Sequence, residues 1–253
     1  MALALGLAAC AGVHRPVPQA RSRVAVAWDQ GQAEPLHAPA FAQPGERLLF
    51  EGRWLGVAIG RVSVDVGGVR TVRGHRVISG RSVAESDGMS AVFSSLWWQL
   101  DSTIDLDTGR PLQATDRWNI LFGGERDHGS WNQSSWDDDQ YNLHSAVAAI
   151  RGWDPAPGER RRLRVDIGGQ FTIELASAGG EYLPAYGRAA LRYEGRALIG
   201  ETYGFTFWIS DDAERIPLRL DMQTHWGRVS LRLRRYEPPD RAPRRFGGDP
   251  ALL

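Results

Sequence analysis

Apolar and polar residues alternate with a period of two through most of the chain. Residues 161–176 show the pattern twice, on either side of a glycine pair at 168–169. Such alternation places apolar side chains on one face of a strand, and paired glycines tolerate the positive φ of a tight turn. The segment therefore predicts a β-hairpin.

The same period recurs elsewhere and indicates the fold class. It predicts a strand over 62–66 and a three-stranded meander over 205–233, with turns at Asp211, Asp212 and near Gly227. One apolar and one polar face per strand is typical of an antiparallel sheet with a wetted side. We therefore expect an all-β fold: a single domain of antiparallel strands that forms a strongly curved sheet, a half-open barrel or a two-sheet sandwich.

Two segments depart from the alternation. Residues 88–98 carry apolar side chains at helical spacing, and residues 145–153 are rich in alanine and end before Pro155. Both patterns favour short helices. The sequence thus predicts one or two short helices packed over an open end of the sheet.

The ends of the chain carry no such periodicity. Residues 1–9 are apolar and end in small side chains, which is typical of a signal peptide, although the missing basic start indicates a truncated one. Residues 10–43, rich in proline and alanine, predict an extended tether, and residues 238–253 predict a flexible tail. The β domain is expected over 44–237.

Cys10 is the single cysteine of the chain, so no intramolecular disulfide can form. The residues Leu7, Ala8, Ala9 and Cys10 resemble a bacterial lipobox. This resemblance implies that the thiol of Cys10 is acylated and anchors the protein to a membrane. It further implies the outer membrane, facing the periplasm, because Ala11 follows. The alternative is a free or buried cysteine in a disordered tail.

The overall composition argues against nucleic acid as a partner. The 253 residues carry no formal net charge, and all 30 basic residues are arginine. A neutral protein has no global field that attracts polyanions, so we expect no nucleic-acid partner.

Several strand and turn segments resemble the bacterial domain-of-unknown-function family 3108. They are residues 207–212 (FWISDD), 215–220 (RIPLRL), 227–233 (GRVSLRL), 45–48 (GERL) and 101–105 (DSTID). The resemblance covers roughly residues 44–236. It implies a secreted or lipid-anchored β protein and carries over no catalytic residue.

Tryptophan is abundant, with ten residues in the chain. Six of them fall in the middle third, and the candidate ligand contacts among these are Trp97, Trp98, Trp118, Trp131 and Trp136; the sixth is Trp153. Packing within the core explains such a group, because each indole buries a large apolar area. The functional alternative is an aromatic-lined cavity for an acyl chain, or a stacking platform for sugar rings.

A basic stripe follows the outward positions of the last meander, at Arg219, Arg228 and Arg232. Guanidinium groups bind phosphate, so the stripe is a candidate contact for anionic lipid or lipopolysaccharide. Alternatively it is a solvated face that pairs with Asp221 and Glu237.

Other chemistry-bearing residues point away from catalysis. Asp137, Asp138 and Asp139 lack the spacing of a calcium loop, and the six histidines form no zinc motif. Asp211 and Asp212 are better read as a turn than as a catalytic pair. We therefore predict no metal, no cofactor and no catalytic residue.

These observations favour a non-enzymatic lipoprotein of the bacterial envelope. Its β domain is expected to bind an apolar or amphipathic ligand, such as a lipid or glycolipid. The first alternative is an assembly or scaffold lipoprotein that acts through a protein partner, and the second is an unrecognised hydrolase.

Overall fold

A computed structural model describes residues 24–28, 33–38, 40–87, 94–122, 125–166, 169–199, 201–224 and 227–239. Within these ranges strands dominate. The strands are β1 (Glu34–Pro35), β2 (Arg47–Trp54), β3 (Val57–Val66), β4 (Arg70–Val72), β5 (His75–Ser86), β6 (Ser94–Asp105), β7 (Pro111–Phe122), β8 (Glu125–Gln133), β9 (Gln140–Tyr141), β10 (Arg160–Asp166), β11 (Gln170–Leu183), β12 (Arg188–Ile199), β13 (Glu201–Ser210), β14 (Pro217–Thr224) and β15 (Gly227–Glu237), and the helix is α1 (Leu143–Gly152).

The strands form one sheet, in the order β1-β10-β11-β12-β13-β14-β15-β2-β3-β5-β6-β7-β8, with β4 on β5 and β9 on β10. Pairing is antiparallel except where β1 and β9 meet β10. Strands adjacent in the chain pair almost throughout, and β15 joins β2 to connect the two halves of the molecule. The predicted class, a curved antiparallel sheet with a short helix, is confirmed.

Tight turns connect several strands. Leu55 and Gly56, between β2 and β3, have φ angles of 49° and 87°, and Arg73 and Gly74, between β4 and β5, have φ angles of 49° and 85°. Positive φ at both central residues is the signature of a type I′ turn, whose twist matches that of the strands it joins.

The hairpin and the meander predicted from alternation are both present. Strands β10 and β11 pair in register up to Asp166 and Gln170; the turn residue Gly168 lies outside the described residues. Strands β13, β14 and β15 form the antiparallel meander.

One of the two predicted helices is confirmed as α1. Asn142 caps its start: the side chain of Asn142 accepts a hydrogen bond from the Ser145 N–H, and the Ser145 hydroxyl accepts one from the Asn142 N–H, both at 2.9 Å. This reciprocal pair satisfies two N–H groups that a helix start otherwise leaves free. The helix ends at Gly152, three residues before Pro155.

The other helix prediction is wrong over residues 94–98, which begin β6; residues 88–93 lie outside the described residues. Strand β7 pairs with all of this segment, and β5 pairs with Trp97 and Trp98, so the backbone of the segment joins two ladders. Two ladders outweigh the local helical spacing, and as a result Leu96 and Trp97 are exposed.

Part of the predicted tether also packs on the sheet. Residues 34–35 form β1, and Leu36 is buried in the core against the helix. Its N–H donates to the Arg162 carbonyl at 2.8 Å. The folded part therefore begins earlier than residue 44. Residues 238–239 carry no regular structure, and residues 240–253 lie outside the described range.

Helix α1 lies on the concave side of the curled sheet. One helix face, with Ala146, Ala149 and Ile150, packs against β10 to β13. Trp153 continues this face and stacks near Tyr193, with ring centroids 5.6 Å apart. The helix also contacts β6, so it spans the space between the two halves of the sheet.

Candidate functional site

Helix α1 is held near its start by one histidine. His144 Nε2 lies 2.7 Å from the hydroxyl of Ser82 on β5, and His144 Nδ1 lies 2.5 Å from the hydroxyl of Ser102 on β6. Gly80 permits this approach, because a Cβ at that position would lie 2.9 Å from His144 Nδ1. The histidine thus joins the helix to two strands.

The surroundings of His144 keep it neutral. Burial lowers the pKa of His144 to about 4, against the attraction of Asp101. A neutral imidazole has one donor and one acceptor nitrogen, which matches two serine hydroxyls that can each donate or accept. The Ser82–His144–Ser102 group is therefore satisfied without any charge.

The other end of α1 is held by a buried ion pair. The guanidinium of Arg151 makes a bidentate contact with Glu46, and the Nη2–Oε2 distance is 3.0 Å. Both side chains are almost fully buried. Arg151 Nε also donates to the Arg215 carbonyl at 2.9 Å. The buried charges of Arg151 and Glu46 are tolerated because each group has the other as its partner.

Between these two attachments lies an apolar cavity of about 190 Å³. On the helix side it is lined by Leu143, Val147 and Ala148, on the face opposite to the core packing. The sheet and the segment before β2 supply mainly carbon atoms. They come from Phe41, Leu48, Phe50, Val62, Val64, Val66, Ile78, Trp98, Ile104, Phe207, Pro217, Leu220 and Leu231.

The five tryptophans singled out from the sequence are divided by the sheet. Trp98, Trp118 and Trp131 fall on the concave face, since Trp98 is opposite Trp118 and Trp131 is opposite the buried Asp116. Trp136 packs edge-on to Trp131, with centroids 6.3 Å apart. Trp97 points to the other face and is 37% exposed. Of the five, Trp98 lines the cavity.

Asp116 is a residue that the sequence analysis missed. It lies on β7 with only 4% of its surface exposed. Burial raises the pKa of Asp116, although hydrogen bonds from the Trp98 side chain and the Arg117 N–H oppose that shift. Its Oδ1 atom has no hydrogen-bond partner among the described residues. The sequence did contain a signal for it: Asp116 is two residues from Trp118, so strand alternation places both side chains on the same face.

Two arginines of the basic stripe, Arg219 and Arg228, form ion pairs with Asp221. Arg219 Nε donates to Asp221 Oδ1 at 2.9 Å, and Arg228 also binds the Asp221 carboxylate. Burial of Asp221 raises the pKa of its carboxyl, but the contacts with both arginines outweigh burial and hold that pKa below its usual value. Arg219 also lies over the Trp208 ring, and Arg232 is opposite Arg219 in the strand register. Arg219 and Arg228 thus share Asp221 as a local counter-charge.

The aspartates at 137–139 contact arginines. Arg164 lies 2.7 Å from Asp139 and 3.3 Å from Asp137, and Arg110 lies 2.6 Å from Asp138. Among the residues that the structure describes, no group of three histidine, cysteine or acidic side chains is placed to hold a metal ion.

Asp212 stabilises a turn. Its Oδ1 accepts hydrogen bonds from the N–H groups of Glu214 and Arg215 at 3.0 and 3.2 Å. The Ser210 hydroxyl donates to the same atom at 2.8 Å. These contacts fit the structural interpretation of the Asp211–Asp212 pair.

The fold and the cavity together define a class: one strongly curled antiparallel sheet that surrounds a short helix. A β-barrel-like protein of domain of unknown function DUF1849 from Brucella abortus has a similar fold, with a TM-score of 0.53 and 9% identity. The match covers 79% of this chain and 100% of that one. At this identity the likeness concerns the fold alone.

Two further solved structures show weaker likeness. A candidate exported protein with a YmcC-like fold from Bacteroides fragilis has a TM-score of 0.39 and 10% identity, covering 79% of this chain and 99% of its own. A candidate lipoprotein from Parabacteroides distasonis has a TM-score of 0.35 and 9% identity, covering 81% and 100%. At these scores neither supports an inference about this chain.

No protein-family profile matches the chain, and no curated protein matches it. The resemblance to family 3108 therefore gains no support beyond a bacterial β domain of unknown function. In the described part of the chain, no helix has the length and apolar character needed to cross a bilayer.

Proposed function

We propose that the β domain binds an apolar or amphipathic ligand of the bacterial envelope in the cavity between α1 and the sheet. The observation that carries the proposal is the cavity itself, which lies between α1 and the sheet and is lined almost wholly by carbon atoms. Protein interiors are otherwise close-packed, and space of this kind forfeits dispersion contacts. A ligand would restore them.

The size of the cavity limits what it can accept. An apolar protein cavity of about 150 Å³ admits benzene. A cavity of about 190 Å³ therefore suits a small apolar group or the end of one alkyl chain. We expect the rest of a lipid to remain outside it.

The placement of this domain in the envelope rests on the sequence. Residues 1–23, which include Cys10, lie outside the described residues. The lipobox resemblance at residues 7–10 supports a lipid anchor on Cys10, and Ala11 supports the outer membrane. We propose a non-enzymatic lipoprotein that faces the periplasm.

A cavity-filling variant tests the binding proposal. Val147→Phe places a ring in the cavity from the helix side and should leave the midpoint of thermal unfolding unchanged or raised. Isothermal titration with decan-1-ol should show binding to the wild type and at least about tenfold weaker binding to Val147→Phe. Val57→Phe is the matched control, because Val57 is 65% exposed at a hairpin tip.

The titrations decide whether the cavity is the binding site. Absence of decan-1-ol binding to the wild type, or equal binding to Val147→Phe, would exclude the cavity as the site. Should Val147→Phe fold poorly, Ala148→Leu fills the same space from the same helix face.

The scaffold alternative is favoured by one surface feature. Trp54, Leu55 and Val57 expose apolar side chains at the tip of the β2–β3 hairpin, and Leu55 is 63% exposed. A contiguous group of exposed apolar side chains is typical of a docking surface. If Leu55→Ser removes a co-purifying protein in native mass spectrometry while decan-1-ol binding persists, the protein has this second role.

The hydrolase alternative has weaker support. Ser82, His144 and Ser102 lie in a row, as a nucleophile, base and orienting residue would. However, Ser82 and Ser102 are only 3% and 5% exposed, and a histidine with a pKa of about 4 is a poor base at neutral pH. We therefore assign this row to holding the helix.

A further inference from the structure

The concave face of β6, β7 and β8 carries a carboxylate that the fold leaves incompletely bonded. Among the described residues, the Oδ1 atom of Asp116 is buried and accepts no hydrogen bond. The neighbouring Arg117 points to the opposite face, where it approaches Asp101 at 3.6 Å. A buried carboxylate without full compensation is costly, which makes Asp116 a candidate binding group.

Three indoles share the sheet face of this carboxylate. Trp131 lies directly opposite Asp116 in the strand register, and Trp118 follows two residues along the same strand. Trp98 is opposite Trp118 and makes a hydrogen bond to the Asp116 carboxylate. Directly opposed and diagonal residues on one sheet face are within reach of aromatic side chains.

A second acceptor faces the same region. Gln133 is two residues from Trp131 on β8, so it shares the concave face. Its Oε1 atom is buried and has no partner among the described residues, while its Nε2 donates to the Ser135 carbonyl at 2.9 Å. We call the group of Trp98, Trp118, Trp131, Asp116 and Gln133 the indole corner.

The indole corner adjoins the apolar cavity through one residue. Trp98 lines the cavity and also contacts Asp116. A ligand with an apolar chain in the cavity could reach the carboxylate with its polar end only by extending past the Trp98 ring. The chemistry of the corner then selects that polar end.

We propose that the indole corner binds the protonated amine of an amphipathic primary amine whose alkyl chain occupies the apolar cavity. This inference rests on the proposed function. An ammonium group has three N–H donors, which match free acceptor atoms on Asp116 and Gln133. Indole faces attract cations, and a carboxylate supplies the opposite charge. A carboxylate or phosphate head group would instead be repelled by Asp116.

Comparison of two ligands of equal chain length tests the inference. Decan-1-amine and decan-1-ol are titrated calorimetrically into the wild type, Asp116→Asn and Asp101→Asn at neutral pH. In Asp116→Asn, the amine should bind about tenfold more weakly or worse, as expected for a lost hydrogen bond to a charged group, and the alcohol should change by less than about twofold. Asp101→Asn removes the same charge from the outer face and should change neither affinity.

The result also separates this inference from the proposed function. If decan-1-ol binds and the amine affinity does not depend on Asp116, the inference is wrong and the cavity proposal stands. If neither ligand binds the wild type, the proposed function fails as well. Asp116→Leu should unfold no more easily than the wild type, because it removes an incompletely bonded group. If Asp116→Asn and Asp116→Leu both fail to fold, Asp116 is a structural residue and the inference is overturned.

Discussion

Acidification should destabilise this protein through His144. In the folded state burial holds the pKa of His144 at about 4, against an ordinary value of 6.5. The unfolded chain therefore binds a proton at His144 between these two pH values while the folded protein does not. Because protons then favour the unfolded state, stability is fully present above about pH 6.5 and is lost as the pH falls toward 4.

The magnitude follows from the size of this shift. One pKa unit corresponds to about 1.4 kcal/mol, so protonation of the unfolded chain at about pH 5 should lower the free energy of unfolding by roughly 2 kcal/mol. The physical cause is that a charged imidazole would lose water on burial and would still face Ser82 and Ser102. Those hydroxyls offer no negative charge in exchange.

Urea unfolding followed by tryptophan fluorescence measures this difference. The free energy of unfolding is compared at about pH 7.5 and about pH 5 for the wild type and for His144→Gln, which cannot titrate in this range. The wild type should lose roughly 2 kcal/mol more than the variant. Carboxylates such as Asp105 and Asp221 are common to both proteins, so their contributions cancel.

A control histidine makes the test specific. His128 is exposed on β8, so His128→Gln should retain the pH dependence of the wild type. An identical pH dependence in the wild type and His144→Gln would refute the argument, since it would mean that His144 is hydrated or moves to solvent when it is protonated.

Three further expectations concern the anchor, the buried ion pair and the tryptophans. Cys10→Ser should release the protein into the soluble periplasmic fraction, and retention in the membrane fraction would contradict the lipobox interpretation. Arg151→Met should lower the free energy of unfolding by about 3–5 kcal/mol because it strands the buried Glu46, whereas adding Glu46→Leu should restore much of the loss in urea melts. Trp153→Ala should cost about 3–5 kcal/mol in the core, while Trp97→Ala, on an exposed indole, should cost far less; equal losses would contradict the assigned faces.

Strand content and local connections could be predicted from the sequence because both depend on neighbours in the chain. Alternation at 161–176 and 205–233 determines which side chains share a face, and the turns lie between the alternating runs. Helix α1 was predictable for the same reason, since its alanine-rich segment ends before Pro155. The prediction failed at 94–98, where the pairing with β5 and β7 decided the structure.

The candidate site was predictable only in part. The density of tryptophan indicated an aromatic cluster, and three of its five members do share the concave face. Nothing local marked Trp97 as the member that points away, because adjacent strand residues face opposite sides and the register sets which side is inner.

The sequence by itself determined the alternation of apolar and polar residues. That alternation determined the strands, the tight turns and the amphipathic character of the sheet. Tertiary structure alone decided what those strands enclose. Gly80 and His144, Glu46 and Arg151, and Asp116 and Trp98 become neighbours through strand register and the position of α1. The physical reason is that a cavity is bounded by side chains from distant segments, so its shape depends on how the sheet curls and not on any one segment.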